Sequence, residues 1–431
     1  MKRREFMQGS LGAAMAAGLQ PPTPNPAIES ARNAALAVLK PSAKELERGL
    51  ALHAASLVIE AYGFSPCCAI DGEAMRAAID AGASEMELQD ITEDTTMTRC
   101  VTDAREREEY RQAWDASGIT CIFQNAGEEG QDPLRLIKRL ARFTYVADHL
   151  PGIVSRAIGP DDIVAAKKAG RHCVYMTGNG VPLTQQWVSA DDELRYIRIF
   201  FQLGVRMMHL TYNRRNMIGD GCAETANAGL SDFGRRVVAE MNRVGVIVDV
   251  AHSGWRTSLE AAKASTKPMV ASHSSCAALH KHIRSKPDEV IRAIADTGGF
   301  IGICAVAAFL GGTGDIAAML NHVDYVAKHF GTDHVAIATD NAYASRYGDA
   351  EWEKIPKRRR TRAAWEYFWP PDAFTGYPRT HPTLQWVNWP MFTVGLVQRG
   401  YSDDDIRKII GGNALRVARA VLPELPSPTR S

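Results

Sequence analysis

His252 closes the apolar run Val-Ile-Val-Asp-Val-Ala at 246–251, and His273 closes Met-Val-Ala-Ser at 269–272. Two imidazoles that end consecutive strands of a parallel sheet stand about one inter-strand spacing apart, ~4.8 Å. That lets two neutral ring nitrogens reach one ion at ~2.0–2.1 Å. Asp340 ends another apolar run, 334–339, in the same manner. A buried histidine is more often satisfied by hydrogen bonds than by a metal. Three such residues at three strand ends nevertheless point to a metal-activated water, with a carboxylate to move its proton.

The elements that must position these groups are legible as short apolar runs separated by longer amphipathic stretches, the pattern of repeated βα units around a parallel sheet. Eight runs are expected as strands: 56–62, 119–125, 172–177, 205–212, 245–252, 268–273, 299–304 and 334–340. Helices are expected over 257–265, from Pro287-Asp288 onward, and over 402–410, the last closed by Gly411-Gly412. The fold class is therefore α/β, a (β/α)8 barrel of the metal-dependent hydrolase type. A doubly wound open sheet is the alternative, but polar residues at so many strand ends fit a barrel whose site is built there. One catalytic domain is expected over 51–425, preceded by an N-terminal extension, 28–50. A loop insertion at about 347–390 carries Lys357-Arg358-Arg359-Arg360-Thr361-Arg362 and then Trp365, Tyr367, Phe368 and Trp369. The basic run reads as a solvated face. Its position after the eighth strand would set the aromatic residues over the barrel mouth.

The chain has 431 residues, 45% of them hydrophobic, enough for one large core. Fifty basic residues against 49 acidic ones leave a net charge of +1. No field of one sign argues for nucleic acid or an anionic membrane, so a small-molecule partner is expected; a homodimer is allowed for. The eight cysteines lack CxxC spacing and read as mostly free and buried, with adjacent Cys67 and Cys68 left open. Residues 1–27 read as an export signal: Lys2-Arg3-Arg4-Glu5-Phe6, a small apolar run at 9–19, then Pro21, Pro22 and Pro24. The Arg-Arg-x-Phe core resembles a twin-arginine signal and implies a periplasmic destination. No later segment reaches the ~18 apolar residues of a membrane span.

Longer motifs carry a resemblance. Gly-Val-Arg-Met-Met-His-Leu-Thr-Tyr-Asn at 204–213, Gly-Leu-Ser-Asp-Phe-Gly at 229–234, Val-Asp-Val-Ala-His-Ser at 248–253, Ala-Ser-His-Ser-Ser at 271–275, His-Ile-Arg at 282–284, Ile-Ala-Thr-Asp at 337–340 and Gly-Gly-Asn-Ala-Leu-Arg at 411–416 are similar to those of the membrane (renal) dipeptidase family, over 165–345 and 390–420. The resemblance implies that His252 and His273 are histidine ligands of zinc, that Arg284 holds a substrate carboxylate, and that Asp340 orients the attacking water. It also exposes departures. The family's His-x-Asp at the end of strand one matches Tyr62 and Phe64 here. A second candidate stretch at 70–75, with Glu73, lacks the pair as well. The bridging glutamate falls near Asn179, and Tyr212 stands where a substrate-contacting histidine is usual. Asn179 and Tyr212 are then expected on the substrate side, with Glu128 and Glu129, after strand two, as candidates for a further metal ligand. One Zn²⁺ is expected where the family has two. The substrate expected is a dipeptide or similar amide bearing a carboxylate; another amide or lactone hydrolase, and a binding protein without activity, are the rival readings.

Overall fold

A computed structural model of the chain describes residues 25–127, 132–357, 365–378 and 380–422. Eight parallel strands follow one another in chain order around the sheet: β1 Ile59–Gly63, β2 Cys121–Asn125, β3 His172–Gly178, β4 Met207–His209, β5 Ile247–Asp249, β6 Val270–Cys276, β7 Phe300–Cys304 and β8 Val335–Ala338. Apart from His172 at the start of β3, every residue in them is buried. A parallel strand covered on both faces requires this, and it explains why each reads as a nearly unbroken apolar run. Two short strands lie off this path, Val154–Ala157 beside β3 and Ser285–Lys286 beside β6.

The two ends of the sheet meet. The Asp340 amide donates to Tyr62 O at 3.1 Å and the Phe64 amide to Asn341 O at 3.3 Å. The Glu60 carboxylate accepts from the Thr339 amide, from Thr339 Oγ1 at 2.9 Å and from Trp389 Nε1 at 2.7 Å. With this seam the sheet forms a (β/α)8 barrel, as expected.

The helices around it show why the chain turns where it does. The helix Asp232–Val244, which delivers the chain into β5, is capped by Ser231, whose side chain accepts from the Gly234 amide, and ends on Gly245 at φ +97°, a conformation costly for other residues. Val237, Val238 and Met241 lie on its buried face. The stretch read as an extension is helical: Pro26–Leu39 is followed by Ala43–Ala55, whose Ser42 and Glu45 form a capping box. Gln398, at the end of helix Trp389–Gln398, donates to Leu39 O at 3.0 Å and joins this pair to the barrel. Residues 1–24 of the proposed signal lie outside the described residues, as do Glu128, Glu129 and residues 358–364 of the basic insertion. The insertion's aromatic part does lie against the mouth. Trp369 and Ala373 are buried with Tyr212, Cys304 and Phe309, and Trp365, Phe368 and Phe374 pack onto them. All eight cysteines are free, and no helix among the described residues is long and apolar enough to cross a membrane.

Candidate metal centre

Strands β4 and β5 run in parallel register, with His209 opposite Asp249. Side chains at paired positions leave the same face of a sheet, so the two meet: His209 Nε2 lies 2.7 Å from Asp249 Oδ2. The other carboxylate oxygen is committed to backbone. Asp249 Oδ1 accepts from the Ala251 amide at 2.9 Å and from the Ser272 amide at 3.0 Å, which ties β5 to β6. Burial alone would raise the Asp249 carboxyl. Facing His209 and the Ser272 donors outweigh it and hold the group below the usual carboxylate range.

His252 does not end a strand. β5 stops at Asp249, three residues earlier, and a turn carries the imidazole inward, which corrects the expectation from the apolar run. Its orientation comes from Asn213. His252 Nδ1 donates to Asn213 Oδ1 at 2.7 Å, leaving Nε2 as the lone-pair nitrogen. Asn213 sits at φ +37° in a tight loop; a Cβ on neighbouring Gly221 would fall 2.1 Å from the Asn213 carbonyl carbon. The Cys222 thiol also donates to Asn213 Oδ1, at 3.1 Å, and lines an adjoining cavity of about 780 Å³ with Trp255, His282 and Ile283.

His273, within β6, brings its Nε2 to 3.0 Å from His252 Nε2, while its Nδ1 is paired with Ser272 Oγ at 2.8 Å. Ring centroids of His209, His252 and His273 lie 5.0–5.3 Å from one another. Burial first, then the Arg284 guanidinium and neighbouring charges, holds both His252 and His273 well below the usual imidazole range. Both are therefore neutral at pH 7 and have lone pairs to offer.

Whether these residues fit a cation can be tested on what they leave unsatisfied. Among the described residues, His209 Nδ1, Asn125 Oδ1, Asn213 Nδ2, Ser274 Oγ and Arg284 Nη1 are buried side-chain atoms without a hydrogen-bond partner, and His209 Nε2 and Asp249 Oδ2 have only each other. Such atoms are costly unless something binds them. The ligand atoms of His209, Asp249 and His273 lie within 4.8 Å of one another, a donor set of two imidazoles and a carboxylate. The set fits a divalent cation of the zinc class.

The other expected site residues fall around this centre. Arg284, fully buried, donates through Nη2 to His273 O at 2.8 Å and lies over the rings of Phe309 and Trp369. Tyr212 stacks on His252 with centroids 4.2 Å apart and accepts from Trp369 Nε1 at 3.2 Å. Asp340, just past β8, holds a left-handed backbone at φ +54°, an unusual strain for a residue with a side chain and typical of sites where function fixes geometry. Tyr62 stacks on His273 at 4.0 Å and 8°, and its hydroxyl donates to Asn179 Oδ1 at 3.0 Å. Two of the departures from the dipeptidase pattern are thus bonded to each other. Burial, then the negative charges of Asp340 and Asp249, pushes the Tyr62 hydroxyl well above the usual phenol range and keeps it a donor. Phe64 lines a separate small cavity with Cys67, Tyr110 and Gln124. Glu73 lies on the exposed first turn of helix Gly72–Asp80.

Comparison with known proteins agrees with this architecture. The family model for membrane dipeptidase (peptidase family M19) matches residues 88–355, more than half of the chain. The chain belongs to the membrane dipeptidase family. Curated relatives include dipeptidase tcpJ of Claviceps purpurea (strain 20.1), 28% identical over 267 residues covering 61% of this chain and 54% of that protein. Dipeptidase verJ of Clonostachys rogersoniana is 29% identical over 229 residues, 52% of this chain and 50% of that protein. The chain thus spans about half the length of the curated relatives it matches. Among solved structures, an amidohydrolase from Pseudomonas aeruginosa superposes with a TM-score of 0.64 at 27% identity, over 86% of this chain and 98% of its own. A metallopeptidase from Rhodobacter sphaeroides shares the fold with a TM-score of 0.61 at 15% identity, over 85% and 99%. The family is metal-dependent, and His209, Asp249 and His273 form a candidate metal-binding cluster in this chain.

His209 and Asp249 are the residues that sequence reasoning passed over. Their signal was present, since each is an ionisable residue inside an apolar strand, where such residues are rarely buried without a partner.

Proposed function

We propose that the chain is a metal-dependent hydrolase that cleaves a dipeptide or a closely related amide carrying a free carboxylate. The observation that carries this reading is the pair of buried, neutral imidazoles, His252 and His273, whose Nε2 atoms face each other at 3.0 Å beside the unsatisfied Arg284 Nη1. A divalent cation held beside them, zinc in this reading, would supply Lewis-acid polarisation of a carbonyl and acidify a water toward ~7. Asp340 would serve as the general base that accepts a proton from the attacking water and as the acid that donates one to the leaving amine. Arg284 offers its guanidinium to the carboxylate, while contacts with Phe309, Trp369 and the His273 carbonyl hold it in place. Tyr212 and Asn179 border the same space through His252 and Tyr62.

A panel of free dipeptides and their C-terminal amides, assayed with zinc-loaded and metal-free protein, tests the reading. Cleavage of free dipeptides only, and only by the loaded protein, is expected; equal turnover of the amides would remove Arg284 from its role. A second reading, a non-peptide amide or lactone hydrolase, is favoured by the neutral Tyr62–Asn179 pair in place of charged ligands. Turnover of lactones with no cleavage of any dipeptide would select it. Export through Arg3-Arg4-x-Phe6 is part of the proposal; retention of an Arg3→Lys/Arg4→Lys variant in the cytoplasm would support it, and unchanged export would reject it.

A further inference from the structure

We propose that the cation is held by His209, Asp249 and His273, on three consecutive strands β4, β5 and β6, and not in a pocket completed from β1 and β3. This inference rests on the reading of the chain as metal-dependent, and deepens it by naming the ligands.

The sides of the barrel differ in what they offer a dication. On the β1 and β3 side, Tyr62 and Asn179 present a protonated phenol and a neutral amide that already satisfy one another at 3.0 Å. Neither carries the charge that would offset a cation's desolvation. On the β4 to β6 side, Asp249 is placed as a monodentate ligand. Its Oδ1 is fixed by two backbone amides, and its Oδ2, fully buried, points at His209 Nε2, 2.7 Å away. His209 is fully buried, and its Nδ1 has no hydrogen-bond partner among the described residues. Packed within β4 and paired in register with Asp249, it has little freedom to turn elsewhere. His273 completes the triangle, its Nδ1 engaged by Ser272 and its Nε2 turned inward.

Two imidazoles and a carboxylate make up a three-ligand set that leaves a fourth position for water or a substrate oxygen, the arrangement of catalytic rather than structural sites. His273 is common to this set and to the His252 pair, so one ion near His273 crowds out a second. His252, oriented by Asn213, then faces the ion's open side. The simpler account of His209 and Asp249 is a buried hydrogen-bonded pair without metal, closed by the 2.7 Å contact between Nε2 and Oδ2.

Two measurements decide between these accounts. Zinc affinity of the full-length chain, read by competition with a chelating dye, should fall at least about tenfold in His209→Gln and in Asp249→Asn, with the circular-dichroism spectrum unchanged. Anomalous diffraction at the zinc edge from the zinc-loaded wild-type protein needs no variant to fold. It should show its peak bonded to His209, Asp249 and His273. A peak bonded to His252 and His273 but not to Asp249, or unaltered zinc affinity in both folded variants, would overturn the proposal. Absence of dipeptide cleavage with the peak in place would instead count against the functional reading and leave the site standing.

Discussion

Two parts of the barrel bury polar side chains and treat them in opposite ways. At the seam between β8 and β1, the fully buried Glu60 accepts from the Thr339 amide and hydroxyl and from Trp389 Nε1. At the mouth above β4, β5 and β6, His209 Nδ1, Asn213 Nδ2, Ser274 Oγ and Arg284 Nη1 are equally buried and lack partners among the described residues, and Asp249 Oδ2 has only His209. A satisfied buried group closes a fold; an unsatisfied one costs roughly 1–3 kcal/mol. Such groups, beside the ligand atoms of His209, Asp249 and His273 within 4.8 Å of one another, are therefore a liability to folding unless the function uses them. The seam is satisfied within the fold, and the mouth is not.

The largest effect should come from breaking the mouth. His273→Ala removes the imidazole common to every pairing described, and on the order of a hundredfold or more of zinc affinity and hydrolysis should go with it, measured by dye competition and dipeptide turnover. A variant that stays metal-loaded and active would put the ion elsewhere. Arg284→Lys should be milder and selective. A lysine keeps the charge but loses the planar fork, so kcat/KM for free dipeptides should fall about tenfold to a hundredfold with zinc content unchanged. The contrast is sharpened from the other side by Trp389→Phe. Taking one donor from Glu60 should cost about 1–3 kcal/mol in urea unfolding and leave zinc affinity alone. Metal loss in that variant would show that seam and mouth are not separable.

The smallest effect is one of pH. Burial, outweighing the Trp389 and Thr339 donors, pushes the Glu60 carboxyl up to about 8 from an ordinary 4.5. Between those values the folded chain holds a proton that the unfolded chain has lost, so this contribution to stability is complete below about 4.5 and is lost as pH rises through 8. Glu60→Gln should flatten that decline between pH 5 and 9. An equally steep fall in the variant would assign it to another group.

The contrast also separates what could be read in the sequence from what could not. All eight barrel strands lie within their expected runs or one to three residues beyond them, because a strand buried on both faces has to be apolar. Arg284, His273 and Asp340 were legible from motifs. His209 and Asp249 fall inside the expected strands 205–212 and 245–252 but do not read as a pair in the sequence, because only the register between β4 and β5 sets them opposite each other. The role of Asn213 was hidden for the same reason, since a left-handed turn four residues beyond His209 decides which nitrogen of His252 is free. The strand Val154–Ala157 escaped because half of its four residues are serine and arginine, with no apolar run to mark it. The helices Pro26–Leu39 and Ala43–Ala55 were passed over as an extension, although Ser42 and Glu45 carry the signature of a capping box.

Calorimetric titration of metal-free, full-length protein with Zn²⁺ tests the central claim, that the unsatisfied atoms of the mouth are the seat of a single divalent cation. Between β1 and β3 the neutral Tyr62–Asn179 pair offers a second ion no charge, so tight binding should saturate near one equivalent per chain. Saturation at two tight equivalents, or no tight binding at all, would contradict it.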